Sequence, residues 1–422
     1  MDSLAIENKQ DGFLEGIFEF VFFCLALYHV FPFFRSLPQN TYLEFLIFGV
    51  WVLGYFLVQG KKLDFRGYLG GAVLFALYTI TVPRIFGNGV LSNRYASVAV
   101  GFTFYLTYLH LRENGRIAVG WKIIKWISPF YLFAVIRTSI ALLQNPWIAR
   151  NIKSSGEMSV AILRQGIGGY QLIYMSVVIV AILLYLLLNT RGSRLGGGKK
   201  LLLLVLTAGV AYLILLSNYF TAFGLMFICL GLCVMLLVYR AASWPGFLIC
   251  GIGLLLFWMY GTDALVWILE KITGLLGKGR TLERLTITLH ELQNNEALSI
   301  FGSRDYTIER SRELFQTNFL LGTCVKPGLT AGGMILGVGQ HSHIWDTLAF
   351  YGLPAGFLGI YLYIKPFWDK WKEGGQYRGI ALVVGAAAMI LLYANNYSAS
   401  ICFVAYFVFP MVFDYLKPAE EG

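Results

Sequence analysis

Two groups of side chains in this 422-residue sequence are of the types that carry chemistry. The first is a pair of histidines, His341 and His343, in the stretch GVGQHSHIWDTLAFYGLPAG over 337–356. A neutral imidazole accepts a proton near pH 7, so either ring can orient a hydroxyl or take its proton. If a helix begins there, His341, Trp345, Leu348 and Gly352 fall on one stripe, and His343 lies one turn from Asp346. The plainer reading is a helix start with Ser342 as its N-cap and His341 at an interface. The second group is cationic. Arg137 lies within YLFAVIRTSIALL, Arg150, Lys153 and Arg164 follow it, and Arg280, Arg284, Arg304, Arg310, Arg312 and Lys326 come later. A guanidinium grips phosphate through two parallel bonds, so a cluster of arginines suits an anionic, phosphate-bearing ligand; it equally suits a solvated surface. Arg137, inside an apolar run, either faces a cavity or partner or extends to the headgroup layer.

Other chemistries find little support. His341 and His343 are two apart and share no helix face, and no third ligand has matching spacing for a metal. Gly196-Gly197-Gly198 precedes Lys199-Lys200, but the strand and the Ser/Thr of a phosphate-binding loop are missing. Of the six cysteines, only Cys324 falls in a polar stretch, and no disulfide framework is implied. His29 and His110 read as packing residues and His290 as solvated. Gly168-Gly169-Tyr170 opens an apolar run, either as helix punctuation or to let backbone approach a ligand.

The elements that position these residues follow from composition. Hydrophobic residues make up 57% of the chain and charged residues only 13%, against roughly 25% charge in soluble proteins. Mean hydropathy is +0.66. Such a chain is an all-α polytopic membrane protein, and its net charge of +10 is no sign of a nucleic-acid partner. About 20 apolar residues cross the hydrocarbon core as a helix. Windows of that length give about 12 transmembrane helices, near 13–34, 41–59, 68–84, 95–112, 119–143, 168–189, 201–218, 220–239, 245–260, 343–364, 379–395 and 398–416. The seventh and eighth are separated only by Ser217-Asn218-Tyr219. The acidic, polar start MDSLAIENKQDG does not read as a cleavable signal peptide.

With both termini inside, the inner turns hold Lys61, Lys62, Arg66, Arg112, Arg116, Lys122, Lys125, Arg191, Arg194, Lys199, Lys200, Arg240, Lys365, Lys370, Lys372 and Arg378. That satisfies the positive-inside rule. The chain then divides into nine spans over 1–260, one large outer loop over 261–342, and three spans plus an inner C-terminus over 343–422. Within the loop, 263–276 is amphipathic, 281–294 has helical periodicity, and 300–340 reads as irregular.

These features resemble the bacterial O-antigen polymerase and O-antigen ligase superfamily. His341-Ser342, nine residues, then Gly352-Leu353 resembles its signature after the large periplasmic loop, with Ala355 where the pattern usually has a further Gly. Lys278-Gly279-Arg280, with Asn294-Asn295 and Phe301-Gly302 downstream, is similar to the start of that loop. Arg164-Gln165-Gly166-Ile167-Gly168-Gly169-Tyr170 resembles its Arg- and Gly-rich segment before the sixth span. Ligases often carry Ser-Arg near the eighth span, whereas this chain has Ser217-Asn218-Tyr219-Phe220-Thr221-Ala222, and the wording around His341 looks more like a polymerase.

The resemblance implies a GT-C-like, metal-independent glycosyltransferase without cofactor in the bacterial inner membrane, with both termini cytoplasmic and the active site periplasmic. Donor and acceptor would be undecaprenyl-pyrophosphate-linked glycans, membrane lipids would surround the chain, and a chain-length regulator protein would be a further partner. Arg280 and Arg164 would stabilise the departing pyrophosphate, with Arg137 and Arg284 in support, and His341 would act on the acceptor hydroxyl. His343, Tyr170 and Trp345 complete the substrate-binding candidates. The alternatives are a ligase moving finished glycan to lipid A–core, and a polytopic transporter or flippase. A transporter predicts ionisable pairs at the midplane and two-half symmetry, neither of which the sequence displays.

Overall fold

The computed structural model describes residues 2–60, 63–86, 93–152, 156–189, 197–241, 252, 266–267, 270–271, 280–293, 303–325, 330–331, 334–335 and 341–416. The first helices are α1 (Asp2–Val30), α2 (Asn40–Gln59), α3 (Tyr68–Ile85), α4 (Asn93–Glu113) and α5 (Ile117–Gln144). Short α6 (Ile148–Asn151) and α7 (Glu157–Arg164) lead to α8 (Tyr170–Asn189), α9 (Gly197–Leu216) and α10 (Phe220–Ala241). Then come α11 (Arg280–Gln293), α12 (Ser303–Thr317) and a two-residue antiparallel pairing of β1 (Thr330–Ala331) with β2 (Met334–Ile335). The chain ends on α13 (His343–Glu373), α14 (Arg378–Ala394) and α15 (Ala399–Leu416). Among the described residues nine helices, α1, α2, α3, α5, α8, α9, α10, α13 and α15, are long and apolar enough to cross a membrane. The fold is an all-α, multi-pass membrane protein.

Eleven of the twelve expected spans coincide with described helices; the ninth, 245–260, lies outside the described residues except for Ile252, as does most of 263–276. α4, rich in Thr and Tyr, and the shorter α14 pack with the nine. Burial ranks them. In α15, 83% of the span is buried, against 11% in α2, whose Leu46, Leu53 and Leu57 face outward. An outward apolar face is what a hydrocarbon solvent rewards. α15 is central, and its middle turn, Val404–Val408, is wound as a π-helix that sets Tyr406 and Phe407 into the core.

Polar contacts tie the helix ends into two layers. At one end Lys370 is wholly buried and reaches Asp414 (2.7 Å) and Glu373 (3.0 Å). Tyr108 donates to the same Asp414 (2.5 Å), and Arg112 pairs with Glu373 (2.8 Å). Arg116, before α5, pairs with Glu15 and Glu19 of α1. A buried ammonium survives only with such partners. The opposite layer, the Tyr170 end, holds the starts of α8, α13 and α15 and the end of α1.

α13 contains the sharpest departure from helix. Gly352 has φ 72°, ψ −171°, inside what would otherwise be one rod. The expected stripe from His341 through Gly352 therefore ends at a break. The break receives the turn after α12, because Leu353 N–H donates to Phe319 O (2.7 Å) and the Tyr78 hydroxyl donates to Tyr351 O (3.2 Å). Pro354, having no N–H, leaves Phe350 O without its usual helical donor. Gly322, also left-handed at φ 71°, comes so close that a Cβ there would stand 2.2 Å from Phe350 O; a Cβ on Gly352 would stand 2.3 Å from Leu320 O. Only two glycines permit this approach.

One sequence reading is corrected. Within 300–340, read as irregular, Ser303–Thr317 forms the 15-residue helix α12. Its sequence is polar overall, so periodicity is faint, and tertiary contacts supply the order. Ser311 is buried and donates to Asp346 (2.7 Å), and Phe315 packs on Trp345 (6.3 Å between rings). Solvent-side pairs Arg310–Glu313 (3.3 Å) and Arg312–Glu309 (3.7 Å) add a little. The helix expected over 281–294 is present as α11. Gly352→Ala should destabilise the fold by at least ~1–3 kcal/mol through left-handed strain alone. Thermal unfolding in detergent measures this, and limited proteolysis should show α12 released first.

Candidate functional site

The Tyr170 end is organised by four residues of non-helical backbone, Asn395, Asn396, Tyr397 and Ser398, which link α14 to α15. Their carbonyls are used by three other helices or turns. His343 N–H donates to Asn395 O (3.1 Å), Tyr170 OH donates to Asn396 O (2.9 Å), and Cys402 N–H donates to Ser398 O (3.0 Å). Just beyond, Ser400 Oγ donates to His29 O (2.7 Å) and lies 3.2 Å from Gln171 Oε1. In an apolar medium a frayed backbone must find partners inside the protein. Here that requirement fastens α8 and α13 to one loop, and Ser400 ties the end of α1 to the helix that follows it.

The histidines diverge. Ser342 caps α13, accepting from Trp345 N–H (3.3 Å), as the sequence predicts. His341 precedes the helix and is exposed at its mouth. His343 is half-buried, its ring edge-on to Tyr363 (4.8 Å) and near Tyr397 (6.3 Å). Tyr363, Tyr397 and Tyr406 continue this aromatic column into the bundle. Asp346, expected opposite His343, accepts from Ser311 of α12. Trp345 is flanked by Phe315 and by the Arg312 guanidinium, 5.9 Å above its ring.

The arginines separate into kinds. Arg137 is half-buried in α5 and its Nε approaches Gln165 O (3.5 Å). Arg164 ends α7 and is exposed. Between Gln165 and Tyr170 the chain turns on Gly166 (φ 75°). Gly168 N–H is held by Thr138 Oγ1 (2.8 Å), and a Cβ on Gly169 would stand 2.8 Å from Ala149 O. Arg137 and Arg164 thus flank one glycine-rich turn that ends at Tyr170. Arg150 is instead a staple. It binds Asn218 O through Nε (3.2 Å) and through Nη2, and lies over the Tyr219 ring (4.6 Å). Arg280 and Arg284 lie on α11, and their side chains, with Lys153, Lys326, Lys278-Gly279, Asn294-Asn295 and Phe301-Gly302, fall outside the described residues. Among the described residues no group of three His, Cys, Asp or Glu side chains is placed to hold a metal ion.

Sequence reasoning missed two parts of this end. One is the Asn395–Ser398 linker, whose signal is a run of polar residues between two apolar helices. The other surrounds His29, which packs less blandly than expected. Its Nε2 lies 3.7 Å from Glu44 Oε1, and the half-buried Arg35 sits on the 3-10 turn Pro32–Ser36 just above. Their signal is a Glu and an Arg bracketing a short interhelical turn. Lower in the bundle an apolar cleft of about 190 Å³ runs from Val30 past Ile127, Tyr131, Met175, Val210 and Phe403. No family model and no curated protein sequence matches this chain.

Cys324, expected in a polar loop, is instead 1% exposed beneath the α12–α13 junction and donates to Leu321 O (3.2 Å). Burial pushes its thiol up to about 11, with the Tyr78 hydroxyl opposing. Thiol chemistry runs through the thiolate, so maleimide should modify native Cys324 at pH 7.5 about 10²-fold more slowly than in SDS. Gly352→Ala should restore fast labelling if the glycine contact is what seals the site. Mass spectrometry of the 303–325 region reads both.

Proposed function

We propose that this protein is a membrane glycosyltransferase that polymerises undecaprenyl-pyrophosphate-linked repeat units, with its active site on the periplasmic side of the bacterial inner membrane and both termini cytoplasmic. The observation that carries this reading is the seating of His343 and Tyr170 on the 395–398 linker, with His341, Arg137 and Arg164 at the same end of the bundle. The opposite end concentrates Lys and Arg in short turns, which supports assigning it to the cytoplasm. The apolar cleft supports a polyprenyl tail lying beside α5, α8 and α15 while the pyrophosphate and sugars occupy the Tyr170 end.

In this reading the acceptor hydroxyl attacks the anomeric carbon of the donor, and the bond to pyrophosphate breaks with its electron pair leaving on phosphate. His341 receives the hydroxyl proton; its exposed place at the mouth of α13 suits a polymeric acceptor. Arg164 and Arg280 meet the negative charge on the leaving group, with Arg137 and Arg284 beside them. A single displacement inverts the anomeric centre. Tyr170 and Trp345 offer aromatic faces to sugar, and His343, held by Asn395 and Tyr363, positions the start of α13.

Surface-polysaccharide ladders test this. His341→Ala, Arg164→Ala and Arg280→Ala should each reduce long chains by at least ~10²-fold at normal expression, leaving single repeats on the acceptor. Arg280→Lys should also fail if the two-bonded grip matters. Bare acceptor core would instead indicate ligation, and wild-type ladders from all three variants would remove these residues from the mechanism.

A further inference from the structure

Among the described lysines and arginines, Arg35 alone has a buried side-chain nitrogen without a hydrogen-bond partner. Lys370, Arg112, Arg116 and Lys365 each have a carboxylate within 3.0 Å. Among the described residues no ion pair within 4.0 Å and no side-chain hydrogen bond engages the Arg35 guanidinium. Its Nε is sealed from solvent and has no protein acceptor, while the residue as a whole is only half-buried. The turn that carries it is rigid. Pro32 opens it, Ser36 Oγ donates to Phe33 O (2.7 Å), and Asn40 Nδ2 donates to Arg35 O (2.7 Å). Tyr28 OH, donating to Asn40 O (3.0 Å), fixes the start of α2 beneath it. The groups facing Arg35 are Tyr28, His29 and Glu44. Burial lowers the guanidinium to about 10, and Tyr28 and Glu44 oppose that, so it is charged at neutral pH.

Glu44 faces Arg35 without an ion pair inside 4.0 Å, so a charged, partly desolvated guanidinium that spends none of its five donors on protein keeps them for a further anion. The position says what kind. The turn borders α7, which ends at Arg164; Phe31, just before Pro32, packs on Phe133 of α5 (6.0 Å), four residues from Arg137. Val30, also beside the turn, is one end of the apolar cleft. A single ligand spanning both features has a phosphate and a long apolar chain.

We propose that Arg35, on the turn between α1 and α2, binds the phosphate or pyrophosphate of a lipid whose chain enters the cleft below Val30. This site rests on the proposed function only for the identity of the lipid, a polyprenyl-pyrophosphate donor or acceptor. An anionic phospholipid headgroup has the same chemistry.

Phenylglyoxal modification of arginine, read by mass spectrometry on wild-type protein in neutral-lipid nanodiscs, tests it without a variant. Farnesyl pyrophosphate should slow modification of Arg35 at least tenfold and leave Arg378 unchanged. Nanodiscs containing phosphatidylglycerol form a second arm. Protection there and not with farnesyl pyrophosphate keeps the site but assigns it to a membrane headgroup. No protection in either arm overturns the proposal. Arg35→Gln should weaken farnesyl pyrophosphate binding at least tenfold, and Arg35→Lys less, with Arg378→Gln as the unaffected control. Protection of Arg35 in a protein whose deletion leaves the surface-polysaccharide ladders unchanged would sink the glycosyltransferase reading and leave this site standing.

Discussion

Between α14 and α15 the carbonyls of Asn395 and Asn396 fall outside regular helix and are met by other elements, while Ser398 O takes the first bond of α15. Their hydrogen bonds go to the His343 backbone, the Tyr170 hydroxyl and the first turn of α15. Ser400 extends the same set to α1 through His29 O. Because an unmet backbone group in hydrocarbon costs several kcal/mol, this linker dictates where the starts of α8 and α13 stand relative to the end of α1. His343 and Tyr170 are positioned directly by those bonds, and Trp345 by the helix that His343 begins.

The opposite layer uses charge for the same purpose. Lys370, Asp414, Glu373, Arg112 and Tyr108 form a closed set in which the buried ammonium is met on two sides by carboxylate. Closure there contrasts with Arg35, which Glu44 faces without an ion pair inside 4.0 Å, and with Arg137 and Arg164, for which no ion pair is described. The break at Gly352 adds the third constraint. It lets α12 and its following turn dock on a span, so a segment of polar composition becomes part of the wall around Trp345 and His343.

Much of the helical layout was legible in residue order. Runs of about 20 apolar residues separated by basic turns can only be spanning helices, and Ser342 ahead of His343 marks a helix start whatever surrounds it. α12 was not legible, because its stabilising partners, Asp346 and Trp345, lie 35 and 30 residues from Ser311 and Phe315, and its own composition is hydrophilic. The motif glycine was visible as a motif but not as a hinge; its meaning needs Gly322, which only the folded chain brings opposite. Arg150 falls in sequence among the same group of cations as Arg164, and differs because Asn218 O and the Tyr219 ring face it.

The sequence by itself determined that this chain is a helical, multi-pass membrane protein, because hydropathy and length are local quantities that the bilayer reads directly. It also determined which residue types are available for phosphate and proton chemistry. Tertiary structure alone decided which of them stand together. Arg35 stands beside α7 because the Pro32–Ser36 turn packs there, and Ser400, 371 positions from His29, fixes the end of α1 next to that turn. The physical reason is that burial and missing partners are properties of the three-dimensional neighbourhood, and no spacing rule along one strand of residues encodes a neighbour several hundred positions away.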